Sequence, residues 1–354
     1  MNDLMGAPVV PRKGVTMKDV ALKAGVHHSS VSVVLNGSRS SAVVSDSTRQ
    51  RILHAAQELG YRRNGSAQAV RTGRFGTLAL LLSSHRGNSY LPAPLLGGLY
   101  EELARADLTL SVCSLPDEEL SGAGTLPRLL RERMCDGLLI DYNKRIPEAL
   151  VQSIERHHIP AVWINSRQNA DCVFPDDFDA GARAARKLIE LGHRRIAYVD
   201  FAVPHPDDPQ QHYSRRERRD GFAFATSEAG LEVCVWDARR GGPDLVGFCE
   251  QELASPGRPT AVVGYATWTM DALFIAAHRR GLRLPHDLSL ITFGPEAFNF
   301  LCQAMTMFIE PHLETARVAT RLILQKIAKP TQFVPPHKVS FGFEAGESAV
   351  PLPS

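Results

Sequence analysis

Two rhythms of apolar residues divide the chain. In residues 15–62 they recur every three to four positions. From Thr77 onward they form short continuous runs separated by amphipathic stretches. In the first region Met17, Val20 and Ala24 share a helical face behind Thr16, which with Asp19 approximates a capping box. Gly25 can adopt the positive φ that stops a helix sharply. Val26 then faces the core, and Val31, Val34 and Leu35 form the apolar stripe of a second helix, leaving His28, Ser29, Ser32 and Val33 outward. A third helix starts at Ser45, carries Ile52, Leu53, Ala56 and Leu59 on its apolar face, and ends at Gly60. Two short helices joined by a tight turn, with a third beside them, have the layout of a helix-turn-helix head whose second helix enters a DNA major groove.

The runs of the second region are 77–84, 108–115, 136–143, 160–166, 194–201, 231–238, 259–266 and 288–294. Helix-like segments lie between them, for example at 95–106, 176–191, 214–229 and 268–280. Continuous apolar runs predict strands buried on both faces, and their alternation with helices predicts parallel βα units. Eight strands fit two smaller sheets better than one, with a ligand cleft near the strand C-termini. Residues 203–220, rich in Pro, His and charge, read as a solvated crossing over the cleft mouth. Between the two regions Asn64 can cap a short helix over 65–72, with Gly73 ending it. About eight residues make a marginal helix in water. This segment is therefore expected to order on DNA or on a partner's copy, a plain flexible linker being the alternative. The resulting division is a flexible tail at 1–14, a head at 15–62, a hinge helix or linker at 63–75 and a body at 76–354.

Charge sharpens this division. Of the 40 Lys/Arg and 38 Asp/Glu in the 354 residues, eleven basic and four acidic residues fall in 1–74, an excess of seven positive charges. The rest of the chain holds 29 basic and 34 acidic residues. A small basic head on a mildly acidic body suits phosphate binding at one end. Otherwise the composition is that of a globular chain, 44% apolar and 22% charged. No apolar run approaches the ~18 residues that span a bilayer, and the N-terminal residues lack an apolar signal core. A cytoplasmic, nucleoid-associated protein without a membrane partner is the expectation. The six cysteines form no C-x-x-C pair and read as reduced thiols.

Enzymatic chemistry finds no support in the motifs. There is no P-loop, no His-Glu-x-x-His and no nucleophile–base set. The pairs His27–His28 and His157–His158 are adjacent and share no helical face. No metal, cofactor or catalytic residue is expected.

The segments VTMKDVALKAGV, SVSVVLNG, VSDSTRQRILHAAQELGYRRN and AQAVRTG carry a resemblance, joined in the body by LGHRRIAYV, Arg218-x-x-Gly221-Phe222, PTAVV, GLRLPHDLSLITF and the helix after Pro311. Together they are similar to bacterial repressors of the LacI/GalR family, from Val15 to about Lys329. The resemblance implies an all-α helix-turn-helix head and an α/β body like a periplasmic sugar-binding protein, with two doubly wound subdomains. It places the three crossovers near 175, 302 and 331. That gives an N-subdomain of about 76–175 and 303–331 and a C-subdomain of about 176–302 and 332–354. It also implies a homodimer on a pseudo-palindromic double-stranded operator, with a small effector in the cleft that alters the hinge.

Carried over by position, the base-reading spots fall on His28, Ser29 and Val33, and the helix cap on His27. Thr16, Ser30, Ser32, Asn36, Ser45, Tyr61 and Asn64 match phosphate-contacting positions. The minor-groove wedge falls on Val70, with Ala67 packing one turn earlier. This chain departs from the pattern in several places. The family's usual Arg is Val33, which can only touch a thymine methyl. The usual Leu wedge is Val70, smaller by a methylene worth roughly 0.8 kcal/mol of apolar contact. The loop from Asn36 to Ser45 is about three residues longer than usual.

The cleft departs further. The sugar-binding Asn-Asp pair aligns with Ala266 and Thr267, the Asp-Arg pair with Asn165 and Ser166, and the Asp-Asp pair with Gly294 and Pro295. Arg218 remains of the polar clamp, with Trp268, Phe293, Tyr90 and either Asp176 or Asp177 at a helix start as further candidates. Three readings stay open: an anionic or less polar effector held by Arg218, a carbohydrate held by other groups, or a cleft that binds nothing. For Arg218 itself the alternative is a structural salt bridge within RRERRD. A solute-binding sensor with degenerate DNA reading is the alternative to the repressor.

Overall fold

The computed structural model describes residues 14–36, 44–62, 69, 73–85, 87–115, 134–201, 211–237, 244–300 and 303–352. Contacts divide the chain into two compact units, with the division between Phe75 and Gly76.

In the head, helix α1 (Met17–Ala24) is closed at its N-terminus by Thr16 and Asp19. The Thr16 hydroxyl accepts from the Asp19 amide at 3.4 Å, and Asp19 accepts from the Thr16 amide at 2.8 Å. Gly25 ends the helix at φ 63°, where a side chain would be strained, and its N–H returns to the Ala21 and Leu22 carbonyls. Helix α2 (His28–Asn36) and helix α3 (Asp46–Glu58) follow. The three pack around Val20, Val31 and Ile52, all fully buried, with Ala21, Ala24, Ala55 and Ala56. One expectation fails here: Leu53 is 47% exposed and Ala55 takes its place inside. Helical spacing admits either residue. Where helices approach closely, the methyl group fits and the larger chain turns out.

The body contains two six-stranded sheets. The first has the order β13-β5-β4-β3-β1-β2. It comprises β1 (Thr77–Ser83), β2 (Thr109–Leu115), β3 (Gly137–Asp141), β4 (Ala161–Ile164), β5 (Cys172–Pro175) and β13 (His337–Val339), and all its pairs are parallel. Successive residues alternate faces. Leu78 and Leu80 pack under helices α4 (Ala93–Arg105) and α10 (His312–Ala328), while Ala79 and Leu81 pack on the side of α5 (Glu148–Arg156). The second sheet has the order β14-β12-β9-β8-β6-β7. Its strands are β6 (Ile196–Asp200), β7 (Cys234–Asp237), β8 (Ala261–Gly264), β9 (Ser289–Gly294), β12 (Thr306–Ile309) and the antiparallel edge β14 (Gly342–Glu344). Helices α6 (Asp177–Glu190) and α7 (Tyr213–Glu228) cover one face, and α8 (Leu245–Ala254) and α9 (Met270–Arg279) the other. Residues Asn299–Phe300 (β10) and Gln303–Ala304 (β11) form a separate small hairpin.

The chain leaves the first sheet after Pro175, returns to it between Ile309 and His312, and crosses once more between Val339 and Gly342. The crossovers expected near 302 and 331 therefore shift. Strand β12 still pairs with β9, and β13 still pairs with β5. Of the crossing expected at 203–220, residues 203–210 lie outside the described residues, and expectation and structure differ in the rest. Residues 213–220 form the first half of α7, with Arg218 buried. No helix among the described residues is long and apolar enough to cross a membrane.

Candidate functional site

The head presents the first candidate surface. His27 caps α2: its carbonyl accepts from the Ser30 amide at 3.0 Å, and its Nδ1 accepts from the Ser29 amide at 3.3 Å. The same nitrogen lies 2.9 Å from the Ser29 hydroxyl. An imidazole thus does the work of the usual hydroxyl cap and orients Ser29. His28 and Ser29 are exposed, and Ser30, Ser32 and Val33 are half-buried. Ser45 caps α3 through its Oγ, and Tyr61 packs on the head core. The Thr16 hydroxyl is taken up by Asp19, 2.8 Å away. Asn64, Ala67 and Val70, and the side chain of Asn36, lie outside the described residues.

The second candidate is a cavity of 350 Å³ in the body. It opens where strands of both sheets end, the usual place for a ligand in open α/β sheets. Tyr90, Asn165, Arg218, Thr267, Trp268 and Phe293 line it together; Asp176 does not. The Asp176 carboxylate instead caps α6 at the Asp179 amide and holds Lys338 at 3.2 Å. Among the other polar residues of the lining, Asn143, Lys144, His212, Arg215, Glu310 and His312 are not singled out by the sequence motifs.

Arg218 is already occupied. Its Nε donates to Asp177 Oδ1 at 2.7 Å, one terminal nitrogen to the Tyr265 carbonyl at 3.0 Å, and the other to Glu310 Oε1 at 2.9 Å. Rings of Tyr265, Phe293 and Phe341 surround the guanidinium at 4.8 to 5.1 Å. Arg218 is salt-bridged, but its partners Asp177 and Glu310 lie outside RRERRD, where the salt-bridge alternative expected them. Burial pushes the Asp177 carboxyl up to about 6, opposed by the Arg218 charge. Burial would also raise Glu310, but its bonds to His312 and Arg218 prevail and hold it at about 2. Burial, reinforced by Glu310, raises the Tyr90 phenol to about 12.

A second network ties the two halves of the body beside the cavity. Asn165, at the end of β4, sits at φ 54°, a left-handed conformation that asparagine tolerates. Its carbonyl accepts from His212 Nε2 at 2.9 Å and its Oδ1 from the Tyr213 hydroxyl at 3.3 Å. His212 Nδ1 accepts from the Ser214 amide, which fixes the neutral tautomer. Ser214 Oγ lies 2.8 Å from the Tyr265 hydroxyl, and Arg167 pairs with Glu217.

Burial depresses the His212 pKa to about 4, against 6.5 ordinarily. The unfolded chain therefore binds the extra proton first. This contribution to stability is complete above pH 6.5 and is lost as pH falls toward 4, up to roughly 3 kcal/mol. Buried Asp141, raised to about 8, and Asp177 titrate with the opposite sign. The expected result is thus a difference: between pH 6.5 and 4 the wild type loses stability relative to His212→Gln in urea titrations. Parallel pH profiles for the two proteins would show that His212 is not held neutral.

Among the described residues no group of three His, Cys, Asp or Glu side chains could hold a metal ion. Residues 16–64 match the model of bacterial regulatory proteins of the lacI family, and residues 185–348 match a periplasmic binding protein-like domain. The HTH-type transcriptional repressor PurR of Erwinia tasmaniensis is 30% identical over 322 residues, covering 88% of this chain and 90% of the relative. The ribose operon repressor of Haemophilus influenzae is 25% identical, covering 90% and 93%. Among solved structures, the lac repressor dimer bound to operator and the anti-inducer ONPF superposes with a TM-score of 0.72 at 18% identity, covering 96% of this chain and 100% of that one. The regulator CelR in complex with cellobiose gives 0.59 at 24% identity, covering 94% and 99%. Head, body and relatives agree, and the chain belongs to the LacI family of bacterial transcriptional repressors.

Proposed function

We propose that the protein is a homodimeric repressor that binds a pseudo-palindromic operator through α2, with affinity set by a small effector in the body cavity. The outward face of α2 carries this reading. His28 and Ser29 stand exposed on a helix that Gly25 and the His27 cap hold rigidly against the head core. Val33 is half-buried beside them and offers only a methyl surface, so operator choice rests on His28 and Ser29 and on indirect readout. Asn64, Ala67 and Val70 extend the contact as phosphate anchor, packing residue and minor-groove wedge. The protein acts on chromosomal DNA in the cytoplasm and catalyses no reaction.

Selecting fragments of the source genome with the purified full-length protein at near-physiological salt tests this reading. A pseudo-palindrome with a kinkable central step should be enriched. Ser29→Ala should then weaken binding to that site roughly tenfold, since one base contact is worth ~1–3 kcal/mol, while non-specific binding stays unchanged. Salt-sensitive general binding with no enriched site, alongside intact ligand binding, would instead describe a solute sensor whose head no longer specifies DNA.

A further inference from the structure

The acidic groups of the cavity are spent. Glu310 is the one carboxylate lining it among the described residues, with one oxygen on Arg218 and the other 2.9 Å from His312 Nε2. Behind the wall, Asp177 accepts from Arg218 and Asp200 from Arg215. The amides are engaged too. Asn143, in its hydrogen-bonding orientation, donates to Asp141 and to the Asn165 carbonyl. The one carboxylate that lines the cavity among the described residues is therefore not free to take paired sugar hydroxyls.

The cations are unevenly matched. Arg218 is committed, and Arg215 gives one nitrogen to Asp200 while lying over the Tyr265 ring at 4.6 Å and the Trp268 ring at 5.9 Å. Lys144 lines the cavity, and among the described residues the charges that act on it are those of Arg215 and Arg145, not of a carboxylate. Burial, together with Arg215 and Arg145 beside it, disfavours its charged form. An anion beside Lys144 would offset these effects and stabilise its ammonium form. Two rings complete the lining, Tyr90 from the first half and Trp268 from the second, each 44% exposed. Half-exposed aromatic faces on a concave wall offer stacking area to a planar ligand.

We infer that the effector is a small ring-bearing anion, an aromatic or heteroaromatic carboxylate or phosphate ester, with its charge at Lys144 and Arg215 and its ring against Tyr90 and Trp268. This rests on the reading of the cavity as an effector site. A bare inorganic ion would leave the rings uncovered, and a neutral sugar would leave Lys144 unpaired.

The full-length protein can be probed with benzoate, phenyl phosphate, inorganic phosphate, ribose and cellobiose. Trp163 and Trp236 are buried, so quenching of the exposed Trp268 fluorescence reports cavity occupancy, and thermal unfolding gives a second readout. Benzoate or phenyl phosphate should bind at least tenfold tighter than either sugar. Lys144→Met should weaken that binding at least tenfold, and Lys144→Arg should largely retain it. Ribose or cellobiose binding tighter, with no effect of Lys144→Met, would overturn the ligand class while keeping the cavity as an effector site. Inorganic phosphate matching phenyl phosphate would reduce the site to an anion seat and remove the ring. If none of the five probes binds, the ligand class falls. If, in addition, no small-molecule extract of the source cells changes occupancy of the selected operator, the effector reading falls with it.

Discussion

Arg218→Met is expected to destabilise the body by about 3–5 kcal/mol, the usual cost of removing one partner from a buried ion pair. At the scale of a domain this large, that is a fall in unfolding temperature of roughly 5–15 °C. The cost comes from what stays behind. Asp177 is fully buried and its Oδ2 has no hydrogen-bond partner, so without the guanidinium it must take up a proton or lie charged in apolar surroundings. Glu310 keeps His312 but loses its second ligand. The Tyr265 carbonyl loses a donor at the same time. Arg218→Lys should recover little, because a single ammonium cannot reach three acceptors lying in different directions. Adding Asp177→Leu and Glu310→Gln to Arg218→Met should restore part of the loss, since the stranded charges go with the cation. Thermal unfolding followed by circular dichroism measures all four proteins. A loss below about 1 kcal/mol for Arg218→Met would mean the arginine is not the keystone of this cluster. Because its donors are spent inside the protein, reduced ligand binding by this variant would report a disordered wall; Lys144 is the residue whose substitution reports ligand charge.

The head can be read from sequence because its signals are local. The Thr16–Asp19 cap, the Gly25 stop and the Val31–Val34–Leu35 stripe each act within four residues. The eight long apolar runs of the body are legible for a similar reason: strands buried on both faces need no polar alternation. Strands β5, β12, β13 and β14 are three or four residues long and lie outside the eight apolar runs; β13 and β14 join their sheets through partners distant in sequence. A periodicity argument has little to count in them, and the second and third crossovers, placed by resemblance alone, fall away from their expected positions. The cavity is harder still, because its wall is built from residues near the ends of β1, β3, β4, β8, β9 and β12 and from the start of α7. Lys144 lies three positions beyond β3 and Glu310 one beyond β12. A systematic look just past each predicted strand end finds Lys144, and would find Glu310 if so short a strand could be recognised. Nothing local marks Arg218 as spent, since its partners Asp177 and Glu310 are 41 and 92 residues away.

Gly221→Ala is expected to cost more than the ~3 kcal/mol that bounds ordinary overpacking. Helices α6 and α7 approach so closely that a Cβ at Gly221 would stand 2.0 Å from the Phe178 carbonyl oxygen. A Cβ at Gly181 would stand 2.0 Å from the Arg218 carbonyl oxygen. Both obstacles are backbone, which cannot rotate aside as a side chain can. A methyl group at either position must therefore push two helices of 14 and 16 residues apart, and most of the apolar cluster around Ala180, Ala184, Phe222 and Ala225 lies between them and the sheet. The effect reaches the cavity, because Asp177 sits on α6 and its partner Arg218 on α7, joined over 2.7 Å. Separating the helices stretches that bond directly. Urea unfolding should show the stability loss, and Trp268 fluorescence should show weaker ligand binding in the fraction that folds. The exposed Gly97, where an added methyl group would meet nothing within 4 Å, provides the control: Gly97→Ala sits mid-helix in α4 and should be neutral or stabilising by up to about 1 kcal/mol. Equal behaviour of the two alanine variants would show that the α6–α7 contact tolerates separation and that Arg218 is not positioned by it.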